Sequence, residues 1–116
     1  MSEPAHAWYD DGADEVFRAL AEPRRRAILR LVNAAELAAG EIAGAFEISR
    51  PAVSQHLAVL REAGLVDERR DGTRRLYRAS PSGMTQARLA FENMWSTALR
   101  RGRDLAENDS DPGGFA

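Results

Sequence analysis

Ile48-Ser49-Arg50-Pro51-Ala52-Val53-Ser54-Gln55-His56-Leu57-Ala58-Val59-Leu60-Arg61-Glu62-Ala63-Gly64-Leu65-Val66 is the stretch whose reading decides the fold. Val53, Leu57 and Leu60 recur at i, i+4 and i+7, which puts them on one buried stripe of a helix. Ser49 is placed to cap it, because its hydroxyl can accept a hydrogen bond from a free amide of the first turn. Pro51 sits just inside, where a missing N–H costs nothing. Gly64 follows Ala63 as the residue able to turn left-handed and stop the helix. A helix over residues 49–63 is the result.

Upstream, Glu41 to Phe46 reads as a shorter helix burying Ile42, Ala43 and Phe46. Glu47-Ile48-Ser49 is the tight turn between the two, with Ile48 set into the core. Two short helices joined by a three-residue turn outline a helix-turn-helix. Downstream, two strand-like runs, Leu65 to Arg70 and Thr73 to Ala79, flank Asp71-Gly72. Asp-Gly suits both positive-φ positions of a type I′ turn, so the hairpin is predicted to turn at Asp71-Gly72. Leu65, Val66, Leu76 and Tyr77 anchor its base and leave a tip rich in Arg, which makes Leu65–Ala79 a wing. Ser80-Pro81-Ser82-Gly83 closes the unit.

Further out, Val16, Phe17 and Leu20 predict a first helix from about Asp14 to Leu20. Pro23 starts a second, through about Val32, on the stripe Ala27, Ile28, Leu31 and Val32. Its Arg24, Arg25, Arg26 and Arg30 could touch phosphate; a solvated face beside acidic neighbours is the preferred reading. A last helix over 84–105 carries Leu89, Phe91, Met94, Trp95, Ala98 and Leu99. The predicted fold class is mainly α with a small β-hairpin wing: a winged helix-turn-helix with about five helices in the order α-α-α-α-β-β-α. Residues 1–13 form an irregular N-terminal arm, 14–105 the domain, and 106–116 an acidic disordered tail.

A chain of 116 residues supports one core. No apolar run approaches the ~20 residues that cross a membrane. The N-terminus lacks the basic start and apolar stretch of a signal peptide. The absence of Cys excludes disulfides, thiolate metal sites and a cysteine nucleophile. A cytoplasmic protein is the default expectation. The net charge of −2 conceals a segregation: residues 1–15 hold five acids and 104–116 four, with no Arg in either. Between them, 16 Arg face 9 acids, leaving +7. There is no Lys, and Arg suits forked contact with phosphate and guanine. Genome composition explains that preference equally well, so the segregation carries the weight.

With Val53, Leu57 and Leu60 in the core, the other side of the helix near its start presents Ser49, Arg50, Pro51, Ser54 and Gln55. Such a helix enters the major groove of double-stranded DNA with its N-terminal residues nearest the bases. Arg50 can fork onto guanine O6 and N7, and Gln55 onto adenine N6 and N7. Ser49 and Ser54 can bond phosphate or base edges, and the helix N-terminus favours an anion. His56 either joins them or packs within the domain. Arg74 and Arg75, ahead of Arg69 and Arg70, are expected to clamp phosphate or enter the minor groove. The alternative is that these four pair with Asp67, Glu68 and Asp71 and only keep an edge soluble. With two scattered His, no Cys and no phosphate-cradling glycine loop, an enzyme is not expected. A winged helix used for protein–protein contact is the remaining rival. The polar Ser/Arg/Ser/Gln face weighs against it, because docking surfaces are richer in aromatics.

Residues 48–66 with Arg69-Arg-Asp-Gly-Thr-Arg-Arg-Leu-Tyr-Arg78 closely resemble the ArsR-type winged-helix repressors, and Phe17 to Leu29 resembles that family's entry helices. The resemblance implies a homodimer whose first and last helices pair across a two-fold axis, a palindromic operator, and repression relieved by a signal. It also supports groove contacts at Ser49, Arg50, Ser54 and Gln55. Many members sense metals through Cys, or through His and Asp on the last helix. Here the only histidines are His6 and His56, and the last helix offers Glu92 and Asp104 without a nitrogen partner. No metal site and no cofactor are expected. The chain is instead similar to the branch whose last helix carries a Met-Trp pair followed by Ala-Leu. As a dimer interface, Phe91, Met94, Trp95 and Ala98 would bury against Trp8, Phe17 and their symmetry mates. As a pocket, the same aromatic set would hold an apolar small-molecule effector. The interface is preferred.

Overall fold

The computed structural model of the chain describes residues 11–108. Its elements are α1 (Asp11–Leu20), α2 (Pro23–Ala34), β1 (Leu37–Ala38), α3 (Ala39–Phe46), α4 (Arg50–Glu62), β2 (Val66–Asp71), β3 (Arg74–Ala79) and α5 (Pro81–Asn108). Five helices surround one core, and the strands form an antiparallel sheet in the order β1-β3-β2. This is the winged helix-turn-helix arrangement, with three strands where two were expected. The added strand is β1, which pairs Leu37 with Tyr77 and Ala38 with Leu76.

The core is built from the stripes that periodicity singled out. Ile28 and Val32 of α2, Ile42 of α3, Val53, Leu57 and Leu60 of α4, and Leu65 before β2 are all essentially inaccessible to solvent. Truncating any one of the large ones to Ala costs about 2–5 kcal/mol. Phe46 and Ile48 pack against this cluster from the turn between α3 and α4.

The Arg run at 24–26 has a local structural use. Glu22 caps α2 by accepting from the Arg25 amide at 3.0 Å, and Pro23 occupies the first turn. Arg25 then reaches back so that its Nε donates to the Ala19 carbonyl at 2.7 Å and its Nη2 to that of Arg18 at 3.2 Å. Arg26 donates to the Leu20 carbonyl at 2.8 Å. These are carbonyls of the last turn of α1, where helical partners run out, and that of Arg18 also accepts from the Ala21 amide at 3.3 Å. Two of the arginines therefore cap α1, a role that neither sequence reading of the run included. Arg24 and Arg30 are exposed.

Several boundaries differ from expectation. α1 begins at Asp11, ahead of Asp14, and α3 at Ala39, ahead of Glu41. The hairpin turn lies one residue later than predicted. Asp71 pairs with Arg74, so Gly72 and Thr73 are its central residues, and of the three only Gly72 has positive φ, at 65°. A glycine at the first central position marks a type II′ turn in place of I′. α5 begins at Pro81, ahead of residue 84, so Ser80 caps it and 81–83 form its first turn. Ser80 is buried, its hydroxyl accepts from the Gly83 amide at 3.1 Å, and its own amide donates to the Leu65 carbonyl at 2.9 Å. A Cβ on Gly83 would lie 1.8 Å from the Gly64 carbonyl oxygen, so α5 can seat on the end of α4 only with glycine there. At its other end α5 runs through Asn108, into the stretch expected to be disordered. The expected N-terminal arm up to residue 10, with Trp8, and the tail from residue 109 lie outside the described residues.

Candidate nucleic-acid interface

Local rules place α4. α3 is capped at its C-terminus by Glu47, whose backbone is left-handed at φ 55° and ψ 39°, and this reversal starts the turn. Ser49 is extended at φ −70° and ψ 151°, and its hydroxyl accepts from the Ala52 amide at 3.2 Å, the predicted cap. With Val53, Leu57 and Leu60 buried, Ser49, Arg50, Pro51, Ser54 and Gln55 are all exposed, and His56 is half-buried.

The wing folds towards the start of α4 and leaves an open groove of about 590 Å³ between them. Arg50 and Ser54 line it from α4, Gly40 and Glu41 from α3, and Thr73, Arg74, Arg75 and Tyr77 from the wing. Four of the eight residues expected to contact DNA therefore share one groove. Ser49, Pro51, Gln55 and His56 do not line it. The Arg50 guanidinium lies over Gly40, where even a Cβ would find it at 3.7 Å.

Three of the wing arginines make ion pairs, two of them with partners outside the wing. Arg69 grips Glu36 through a fork, Nε to Oε2 at 2.8 Å and Nη2 to Oε1 at 2.6 Å. Arg74 Nη2 donates to Glu41 Oε1 at 2.5 Å, the oxygen that also accepts from the Ala38 amide at 3.0 Å. Arg75 lies 3.6 Å from Glu68 Oε1, and Arg61 of α4 lies 2.7 Å from Glu68 Oε2. That last contact is a charge contact whose angles miss those of a hydrogen bond, since the buried Oε2 has no hydrogen-bond partner. Glu68 was foreseen as a partner; Glu36 and Glu41 were missed. Both flank β1, which carries them beside β3. Hydrogen bonds from Arg69 hold the Glu36 carboxyl below the usual carboxylate range against partial desolvation, with the charges of Arg69 and Arg78 adding to the effect. The Arg69 guanidinium is correspondingly pushed up, first by the hydrogen bonds to Glu36.

On the far side, α5 presents Phe91, Met94 and Trp95 to solvent, with Trp95 56% and Phe91 55% exposed. Phe17 of α1 is half-buried. The Ala98 side chain, like Trp8, lies outside what is described. An open cleft of about 630 Å³ separates α1 from α5, lined by Val16 and Leu89 with Gln86, Glu92, Asn93 and Ser96. Phe91, Met94 and Trp95 are not part of its wall, so the aromatic set and the cleft are separate features. Among the described residues no three His, Cys, Asp or Glu side chains gather as metal ligands, and no helix is long and apolar enough to cross a membrane.

Residues 22–68 match the family described as "Bacterial regulatory protein, arsR family". The HTH-type transcriptional regulator Rv2034 of Mycobacterium tuberculosis is 42% identical over 98 residues, spanning 84% of this chain and 92% of that protein. The chain belongs to the ArsR family. As an ArsR-family member it is a transcriptional regulator with a winged helix-turn-helix DNA-binding domain, and not an enzyme. The transcriptional repressor SdpR of Bacillus subtilis is 41% identical over 59 residues, 51% of this chain and 66% of SdpR. Among solved structures, the ArsR-family protein is similar to a homodimeric winged helix-turn-helix DNA-binding domain of Mycobacterium bovis. The two are 34% identical at a TM-score of 0.65, and the match covers 84% of this chain and 89% of that one.

Proposed function

We propose that this ArsR-family regulator is a homodimeric repressor that reads a palindromic operator. Residues 49–63 lie in the major groove, and the wing lies along the flanking backbone. The observation that carries the reading is the single groove shared by Arg50 and Ser54 of α4 and by Arg74 and Arg75 of the wing. A base-reading helix start and a phosphate-seeking wing are thereby brought to one surface. Gln55 and Ser49, exposed beside them on α4, extend the base and phosphate contacts. Dimerisation is supported by the exposed Phe91, Met94 and Trp95 on one helix, because monomers rarely leave so large an apolar patch to water. The homodimeric state of the Mycobacterium bovis domain and the repressor role of SdpR point the same way. A chromosomal operator makes the cytoplasm the site of action.

The test is a titration of the purified protein against the DNA upstream of its own gene and against unrelated duplexes, at several salt concentrations. The expected result is selective binding to one site, weakening steeply with salt. Equally feeble binding to every sequence at physiological salt would sink the proposal and favour a protein-docking role.

A further inference from the structure

The wing looks strongly basic in sequence, but in the fold its charge is almost fully compensated. β2, β3 and their turn carry Arg69, Arg70, Arg74, Arg75 and Arg78 against Asp67, Glu68 and Asp71. Glu36 and Glu41, brought alongside by β1, complete an even balance. Only one of these carboxylates stands on the wall of the DNA-facing groove. Glu41 lines it together with Arg50, Arg74 and Arg75.

We infer that Glu41 is an affinity-setting residue, an internal competitor that shares the Arg74 guanidinium with a DNA phosphate. The inference rests on the DNA-binding reading above and deepens it. The third residue of α3 faces the wing, and its Oε1 takes both the Ala38 amide and Arg74 Nη2. The Ala38 contact fixes the carboxylate in place, while Arg74 remains 56% and Glu41 49% exposed, so the pair is open to a third group. An arginine has five donors, and one Nη2–Oε1 bond leaves Nε and Nη1 able to meet a phosphate. The approaching phosphate then meets a nearly neutral pair and not a cation. Binding through a neutral pair releases few condensed counterions, whereas a lone guanidinium releases about one. Glu41 thus lowers both the affinity of the wing for backbone and the steepness with which salt opposes it. The effect is the same for every sequence, so the share of binding energy left to base contacts on α4 rises.

The experiment measures binding of the full chain to a labelled duplex of mixed sequence between about 50 and 200 mM salt. Glu41→Gln keeps an oxygen for the Ala38 amide and removes the charge. Measurable, salt-dependent binding by the wild type is the outcome the DNA-binding reading requires, and its absence overturns that reading before Glu41 is tested. Given that binding, Glu41→Gln is expected to tighten it roughly two- to fivefold, as for loss of one exposed ion pair. The slope of log affinity against log salt should steepen by about 0.9. In an Arg74→Ala background the same substitution should leave the slope unchanged, because the cation it frees is gone. An unchanged or shallower slope, weaker binding by folded Glu41→Gln, or an equal effect with and without Arg74 each overturns the role of Glu41. Should Glu41→Gln fail to fold, Glu41→Ala is read by the same criteria, since it too removes the charge beside Arg74.

Discussion

Glu47 holds a backbone conformation that suits glycine, and its side chain is exposed. A left-handed residue with a Cβ costs roughly 1–2 kcal/mol, part of which the greater freedom of an unfolded glycine offsets. Glu47→Gly is therefore expected to stabilise the fold by up to about 1 kcal/mol, read as a rise in the thermal midpoint, with DNA binding retained. A lower midpoint would show that the carboxylate does something the backbone argument omits. Glu36 makes a prediction about pH. Its carboxyl is held low by Arg69, so the pair supports the fold above the ordinary glutamate range and loses that support as pH falls through the lowered value. The midpoints of wild type and Glu36→Gln should differ at neutral pH and converge as pH falls below the ordinary glutamate range and through the lowered value. A gap that persists undiminished in acid would exclude the ion pair as its source.

The five helices were legible because each has an apolar stripe longer than a turn, and α4 also carries a cap at Ser49 and a stop at Gly64. The hairpin was legible too, but its turn slipped by one residue. Gly72 satisfies the second position of a type I′ turn and the first of a type II′ turn equally well, and only the strand register chooses between them. β1 was illegible: a strand of two residues has no periodicity, and it exists because β3 offers an edge. With β1 went the partners of Arg69 and Arg74, each 33 residues away in sequence. No local pattern could have joined them. The elements nonetheless divide the labour of the groove. Substituting Arg50 or Gln55 by Ala is expected to relax sequence preference, since the proposed reading sets each against a base edge. Arg74→Ala with Arg75→Ala should weaken binding to all duplexes alike, by competition assay. Loss of sequence preference in the wing variant would reverse that assignment.

Across the whole molecule, the groove between α4 and the wing and the apolar face of α5 are built on separate elements. α5 is 28 residues long, about 42 Å. If Phe91, Met94 and Trp95 are covered by a second copy, Trp95→Asp should give a monomer by light scattering and abolish selective binding. An active, dimeric Trp95→Asp protein would refute that interface. The core beneath would be untouched, because none of the three belongs to it.

Gly83 joins these two halves of the molecule. The carbonyl of Gly64, at the end of α4, occupies the space where a side chain at 83 would stand, and Ser80 ties the same junction to Leu65. Backbone rests on backbone there, so this contact does not depend on which exposed side chains α4 carries. The chain is in this sense modular. Residues 49–63 could be exchanged for those of a relative with the buried Val53, Leu57 and Leu60 kept. The resulting chimaera would recognise a different set of bases at an unaltered distance between half-sites.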